Sequence, residues 1–384
     1  MTRSETSPEE GDEIKDVRVS YPKVNRSDIS SQHRPAKITC EAGAALAAGS
    51  RVQEVTQREL TMIKTNEFRP KVLAVGVVGA PQISGDGKTV VWNQKVDDNV
   101  DIYRYQDGKV DRLSSDPRQD IHPTVSYDGS VVTWSRWSTL DPNDKTGNFD
   151  VVVWKDGQEQ TVAATPANES DPQVSPDGSK IVWSNDINGG GYKSVLQCLE
   201  NGTVRDLTLE SDNANFPSWA GNNTLLWRAF DENGSDIVRY QDGEARRITS
   251  APGHEVKPAG TEDGQAVFYQ ASDESNDDDL YRLDVKTGET ERVAGLKKVD
   301  EDWPSVSADG GVVAWTNFDR RGLGEISANT QIYARENGEN RQLTFGPGIH
   351  GQTSISDDGN KIAFHWINSA FINNRAIVML ERQN

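Results

Sequence analysis

The dozen residues "PQISGDGKTVVW" (81–92) return six more times along the chain. Aligned on the leading proline, the copies start at Pro81, Pro123, Pro172, Pro217, Pro258 and Pro304; the seventh, "TSISDDGNKIAF", starts at Thr353 with threonine in the proline's place. The spacings are 42, 49, 45, 41, 46 and 49 residues. A period of this size points to one supersecondary unit stacked many times, because a single unit cannot bury its own apolar face.

Each copy has the same internal order. A short strand leads into Asp-Gly, a strong hairpin signal, at Asp86-Gly87, Asp128-Gly129, Asp177-Gly178, Asp263-Gly264, Asp309-Gly310 and Asp358-Gly359, with "AGNN" (220–223) in the fourth copy. A β-branched run then ends in an aromatic residue: Trp92, Trp134, Trp183, Trp227, Phe268, Trp315 and Phe364. After a variable loop comes a third strand, such as "DIYRYQ" (101–106), then a second turn, such as Asp107-Gly108, and a fourth strand. Four antiparallel strands repeated seven times make an all-β, seven-bladed β-propeller, with the recurrent aromatic packed between neighbouring blades. The last copy ends at "AIVMLERQN" with no fourth strand, so an N-terminal strand is expected to complete it, close the ring and remove two exposed sheet edges. The segment "RVQEVTQ" (51–57) is the candidate. Residues 1–35, polar and aperiodic, read as a flexible arm, and residues 36–384 as a single propeller domain.

Composition agrees. With 34% hydrophobic residues and 33 glycines, the chain suits short strands that each bury one face. A net charge of −19 argues against nucleic-acid or anionic-membrane partners, which phosphates would repel. The two cysteines, Cys40 and Cys198, make neither a disulfide framework nor a zinc spacing. There is no signal-peptide pattern and no run long enough to span a bilayer, so a cytoplasmic monomer is expected.

The phrases "SPDGSKIVWS" (175–184) and "DIYRYQDGKVDRLS" (101–114) resemble the TolB-like propeller repeat, shared by TolB and by the propellers of prolyl-oligopeptidase-type enzymes. The resemblance covers about residues 80–384 and implies a fold rather than an activity. TolB carries a signal peptide and an N-terminal α/β domain, and the peptidases a hydrolase domain with a Gly-x-Ser-x-Gly elbow. The sequence shows neither pattern, so neither role is expected. Stand-alone propellers of this size include the oligogalacturonate lyases, which use channel-facing histidines and a metal; their clustered histidine pattern before one strand is absent here.

In a propeller, the loops joining blades and the loops joining second to third strands share one face, where ligands are expected to bind. The longest second-to-third loops, 135–150, 316–331 and 365–376, bring Arg136, Trp137, Phe318, Arg320, Arg321, Trp366 and Phe371 to that rim. Three of the five histidines, His122, His254 and His350, lie in blade-joining segments, beside Asp120, Glu169, Asp171, Glu255, Lys257, Glu301, Asp302 and Trp303. Imidazoles beside carboxylates could act as general acid and base, or hold a divalent metal; no other cofactor is implied. The resemblance offers a structural alternative for Asp120, Glu169, Glu255 and Glu301, since an acidic residue three before the proline is common in TolB-like repeats and would satisfy backbone groups around the channel. Two acidic stretches, 141–150 and 273–279, lack the Asp-x-Asp-x-Asp-Gly spacing of a calcium loop. The expected function is a binding module that holds a protein segment or small-molecule ligand on its loop-rich face. The alternative is a lyase- or cyclase-type enzyme with His122, His254 and His350 at the channel mouth, His122 and His350 being dispensable for folding.

Overall fold

The computed structural model describes residues 67–141, 146–186, 194–208, 213–231, 234–250, 253–272, 277–319, 329–345, 348–367 and 375–383. Each of the first six copies of the repeat folds as four consecutive antiparallel strands and the seventh as three, and the seven copies make seven blades. The first strand of each blade lines a central channel, as the channel lining draws residues from all seven.

Ring closure comes from one 16-residue strand, Phe68–Ile83, which belongs to two blades. Residues 68–76 pair antiparallel with Arg375–Arg382 as the outermost strand of blade seven, and residues 77–83 pair with Thr89–Val96 as the innermost strand of blade one. The expectation of an N-terminal closing strand therefore holds. The identity of its segment does not: "RVQEVTQ" lies outside the described residues, and 68–76 fill the place assigned to it. Pro70 hid this strand, but a proline is tolerated where one strand edge has no ladder to serve.

The repeat's signature is a β-bulge. In blade one the ladder runs Gly79↔Asn93 and then Gln82↔Val91, so Ala80 and Pro81 together stand opposite Trp92. The same two-against-one pairing recurs in every blade. Proline has no N–H to give a ladder, so it belongs at the second bulge position, and the residue before it is thrown into the left-handed region. Seven residues occupy that corner: Ala80, His122, Asp171, Phe216, Lys257, Trp303 and Gln352, with φ between 49° and 54°. In blade five the residue opposite the bulge is Tyr269, not Phe268, which corrects the sequence alignment by one position. Tyr269 stacks on Tyr281 at 6.0 Å, as Trp92 does on Tyr103 at 6.2 Å and Trp315 on Tyr333 at 6.0 Å.

The aromatics are buried and pack between blades, as expected. Trp134 clusters with Val91 and Ile102 of blade one, and Tyr269 with Leu226 and Ile237 of blade four. At the other end of each first strand, the Asp-Gly turn is a five-residue connection. Asp86 Oδ1 accepts from Ser84 Oγ at 2.7 Å and from the Lys88 amide at 3.0 Å. Gly129 (φ 75°) is needed for the turn and for close approach, since a Cβ there would collide with Thr89 of blade one. Backbone bonds link these turns from blade to blade: Tyr127 N–H to Pro176 O at 2.7 Å, Ala308 N–H to Asp357 O at 2.9 Å, and Asp357 N–H back to Gly85 O at 2.9 Å. That last bond joins blade seven to blade one.

Removing the chain through Gly76 is expected to leave Arg375–Arg382 as an exposed edge in blade seven. The truncated protein should lose cooperative melting and self-associate in sedimentation experiments; a monomer melting like the full chain would contradict the closure.

Candidate functional site

Because the bulge repeats, the seven left-handed residues form one ring at the mouth of the channel, and all seven line a cavity of about 310 Å³. A non-glycine residue in this region costs about 1–2 kcal/mol, so the surrounding ladder must hold each one there. Below the ring, the residues just after each proline form a mostly polar wall: Gln82, Thr124, Gln173, Ser218, Ala259, Ser305 and Ser354. Several of these groups tie neighbouring inner strands together, as when Ser354 Oγ accepts from the Ile83 amide at 3.1 Å. The wall is a frame; the ring above it differs at every position.

Two sectors of the ring are chemically distinct. On one side His122 Nδ1 lies 3.4 Å from Asp171 Oδ1, and both side chains are open to solvent. Around the ring, Lys257 Nζ stands 4.1 Å above the Trp303 ring and 2.5 Å from Asp302 Oδ1, so a cation–π contact and an ion pair fix the ammonium against the indole. Asp302 Oδ1 also accepts the Trp303 amide at 2.7 Å, holding that corner closed. Phe216 precedes Lys257 around the ring. Between Trp303 and Ala80, Gln352 Oε1 accepts the Ala80 amide at 3.1 Å.

The three histidines do not converge. His122 belongs to the ring, His254 is exposed four residues before its proline, and His350 is buried at 1% exposure. His350 Nδ1 faces the Thr330 carbonyl at 2.7 Å, and its backbone amide donates to Thr330 Oγ1 at 2.6 Å. Burial pushes its pKa down to about 4, as it does for the neighbouring His365. The expectation that His350 lines the mouth therefore fails, and its burial argues against its being dispensable for folding.

The same slot, three residues before the proline, is buried in every blade: Val78, Asp120, Glu169, Ala214, Glu255, Glu301 and His350. Two of the acidic members have partners away from the channel lining. Asp120 accepts a bidentate pair from Arg136 (Nε 2.7 Å, Nη2 2.8 Å), and Glu169 accepts the Thr165 hydroxyl and amide. Arg136 and Trp366, expected on the rim, are likewise buried, as the cross-strand neighbours of Asp120 and His350. Trp137 and Phe318 remain half-exposed at the ends of their strands, with Trp137 packed edge-on against Phe149 at 4.9 Å. Arg320, Arg321 and Phe371 lie outside the described residues. Among the described residues, no three His, Cys, Asp or Glu side chains gather to hold a metal ion. Of the expected binding residues, Lys257 and Trp303 stand at the mouth with His122; Phe216 and Gln352 were missed, although the column before the proline carries seven different residue types.

Similar solved structures include an oligogalacturonate lyase from Vibrio parahaemolyticus (13% identity, TM-score 0.60, 82% of this chain and 97% of that one). The β-propeller domain of the trilobed protease from Pyrococcus furiosus is similar at 12% identity and TM-score 0.57, over 80% of this chain and 98% of that one. TolB from Acinetobacter baumannii matches at 15% identity and TM-score 0.48, over 79% of each chain. At these identities the likeness is one of fold, the β-propeller. No protein-family model matches the sequence, and no curated protein does.

His350→Ala is expected to destabilise the protein by about 2–4 kcal/mol, from a cavity and an orphaned Thr330 carbonyl, while His122→Ala should stay within about 0.5 kcal/mol of the parent. Urea melts of the two variants check this. A depressed histidine pKa also means stability is lost as pH falls from about 6.5 towards 4, a loss that His350→Ala should reduce.

Proposed function

We propose that the protein is a binding module whose ligand, a small molecule or a protein segment, sits at the channel mouth on the ring of left-handed residues. One observation carries the reading. Seven strained positions are held in place by the fold, yet each bears a different side chain, and folding requires no such variety. Backbone strain maintained by its surroundings is characteristic of binding and catalytic sites. The ring also supplies what a small-ligand site needs: an aromatic platform in Trp303 and Phe216, a fixed cation in Lys257, an exposed carboxylate in Asp171, and a recess of about 310 Å³ over a polar wall.

The second reading, a propeller enzyme of lyase or cyclase type, draws support from one contact, His122 Nδ1 with Asp171 Oδ1 at 3.4 Å. A carboxylate that orients an imidazole through Nδ1 leaves Nε2 available as a general base. His254 and His350 have no place in that arrangement. A divalent metal, if used, would need ligands from outside the described residues or from the substrate.

A thermal-shift screen of free amino acids, short peptides and small hydroxy- and carboxy-compounds tests the proposal, since a ligand that binds only the folded state raises the melting temperature. Trp303→Ala and Lys257→Ala should each weaken any hit at least about tenfold, the order of one lost cation–π or stacked contact. Hits that survive both substitutions but respond to Trp137→Ala or Phe318→Ala would move the site to the outer rim.

A further inference from the structure

The slot three residues before the proline faces the third strand of the preceding blade, and there it meets a second carboxylate. The pairs are Asp101 with Asp120, Asp150 with Glu169, Asp236 with Glu255, and Asp279 with Glu301; in each, one member's charge opposes ionisation of the other. Their compensation differs. Between blades one and two, two guanidinium groups answer two carboxylates: Arg136 on Asp120, and Arg112 on Asp101 at 2.7 Å. At the two interfaces flanking blade five, the residue across the ladder is Ala271 opposite Glu255 and Asn317 opposite Glu301, so no cation enters from that side. Arg247 pairs with Asp236, and Arg292 with Asp279 at 3.0 Å. Among the described residues, Glu255 Oε2 and both Glu301 oxygens have no hydrogen-bond partner, at 2% and 1% exposure.

A buried carboxylate without a donor is costly, and the cheapest remedy is a proton. We propose that blade five is a proton-dependent clamp on the channel mouth, each of its two interfaces staying closed only while a buried carboxyl pair keeps a proton. Burial, reinforced by Asp236, pushes Glu255 up to about 7; burial, reinforced by Asp279 and Asp300, pushes Glu301 up to about 8. Thr249 opposes the first shift, and Arg292 the second; the Tyr269 phenol is the other titratable group facing Glu255. The geometry makes this a property of the site. Glu255 lies two residues before Lys257 and Glu301 two before Trp303, on the inner strands whose ion pair and cation–π contact close that corner of the ring. Losing the protons puts like charges into both interfaces, and the strands carrying Lys257 and Trp303 are driven from their neighbours.

A raised carboxyl pKa means the folded chain keeps a proton that the unfolded chain releases near 4.5. This contribution to stability is complete below that value and is lost as pH rises through 7 to 8. The test uses the parent, Trp303→Phe, and the double variant Glu255→Gln/Glu301→Gln, in which the amides mimic the protonated acids. Melting temperature and Trp303 emission (parent minus Trp303→Phe, taken in each background) are followed from pH 6 to 9. In the parent Trp303 emission should change with a midpoint between 7 and 8, while the melting temperature should fall from pH 6 and level off once pH passes about 8; in the double variant both should be flat, and at pH 9 it should melt several degrees above the parent. A double variant that tracks the parent, or melts below it at pH 9, overturns the clamp. A melting transition that titrates while Trp303 emission does not overturns its coupling to the mouth. The regulatory meaning rests on the ring being the ligand site, but neither signal needs a ligand, so a failed ligand search would count against that site and not against the clamp.

Discussion

A single bulge, repeated seven times, organises this molecule. Placing two residues of the inner strand opposite one aromatic does three things at once. It gives the proline a position where no N–H is needed, it seats the aromatic against the preceding blade, and it turns the residue before the proline into the left-handed region. The first two effects build the ring of blades. The third delivers one side chain per blade to the channel mouth, and it does so for alanine, histidine, aspartate, phenylalanine, lysine, tryptophan and glutamine alike.

The bulge also separates two positions that simple alternation would put together. In an unbroken strand, residues one and three before the proline share a face. Here the nearer one reaches the channel, while the farther one stays buried against the preceding blade. The farther slot tolerates valine, alanine, histidine or acid, provided its partners change with it: Arg136 for Asp120, Thr165 for Glu169, the Thr330 carbonyl for His350. Burying an ion pair adds little net stability, but removing one partner leaves a charge the interior cannot solvate, at a cost of about 3–5 kcal/mol. The blade interfaces are thus not equivalent, and the asymmetry is greatest around blade five.

Much of the fold was legible because the repeat carries its own grammar. Proline, Asp-Gly and the aromatic stand at fixed offsets, and seven copies average out local ambiguity. Two details escaped. Pro70 disguised the closing strand, and in blade five two aromatics stand side by side, of which Tyr269, at the common spacing after the proline, and not Phe268, faces the bulge. The site was legible only in part. Lys257, Trp303 and His122 could be named from the blade-joining segments, and His122 differs from His350 only in standing one residue before the proline position instead of three, an offset whose meaning the sequence does not carry. The separation comes from the bulge register, a property of pairing between strands. Arg136 was misplaced for the same reason: its sequence position is a loop margin, and its partner Asp120 is 16 residues away.

Likeness to a lyase and a protease domain at 12–13% identity shows how little this fold constrains chemistry. What distinguishes this chain is the content of its ring. The central claim is that the ladder and bulges build the ring, while the ring's side chains serve a ligand and not the fold. The direct test replaces His122, Asp171, Phe216, Lys257, Trp303 and Gln352 with alanine, the residue already present at position 80, and compares thermal melting and circular dichroism with the parent. The account predicts an unchanged β-sheet spectrum and a cooperative melt within a few degrees of the parent at pH 6. A protein that fails to fold, or melts without cooperativity, would show that the ring belongs to the scaffold.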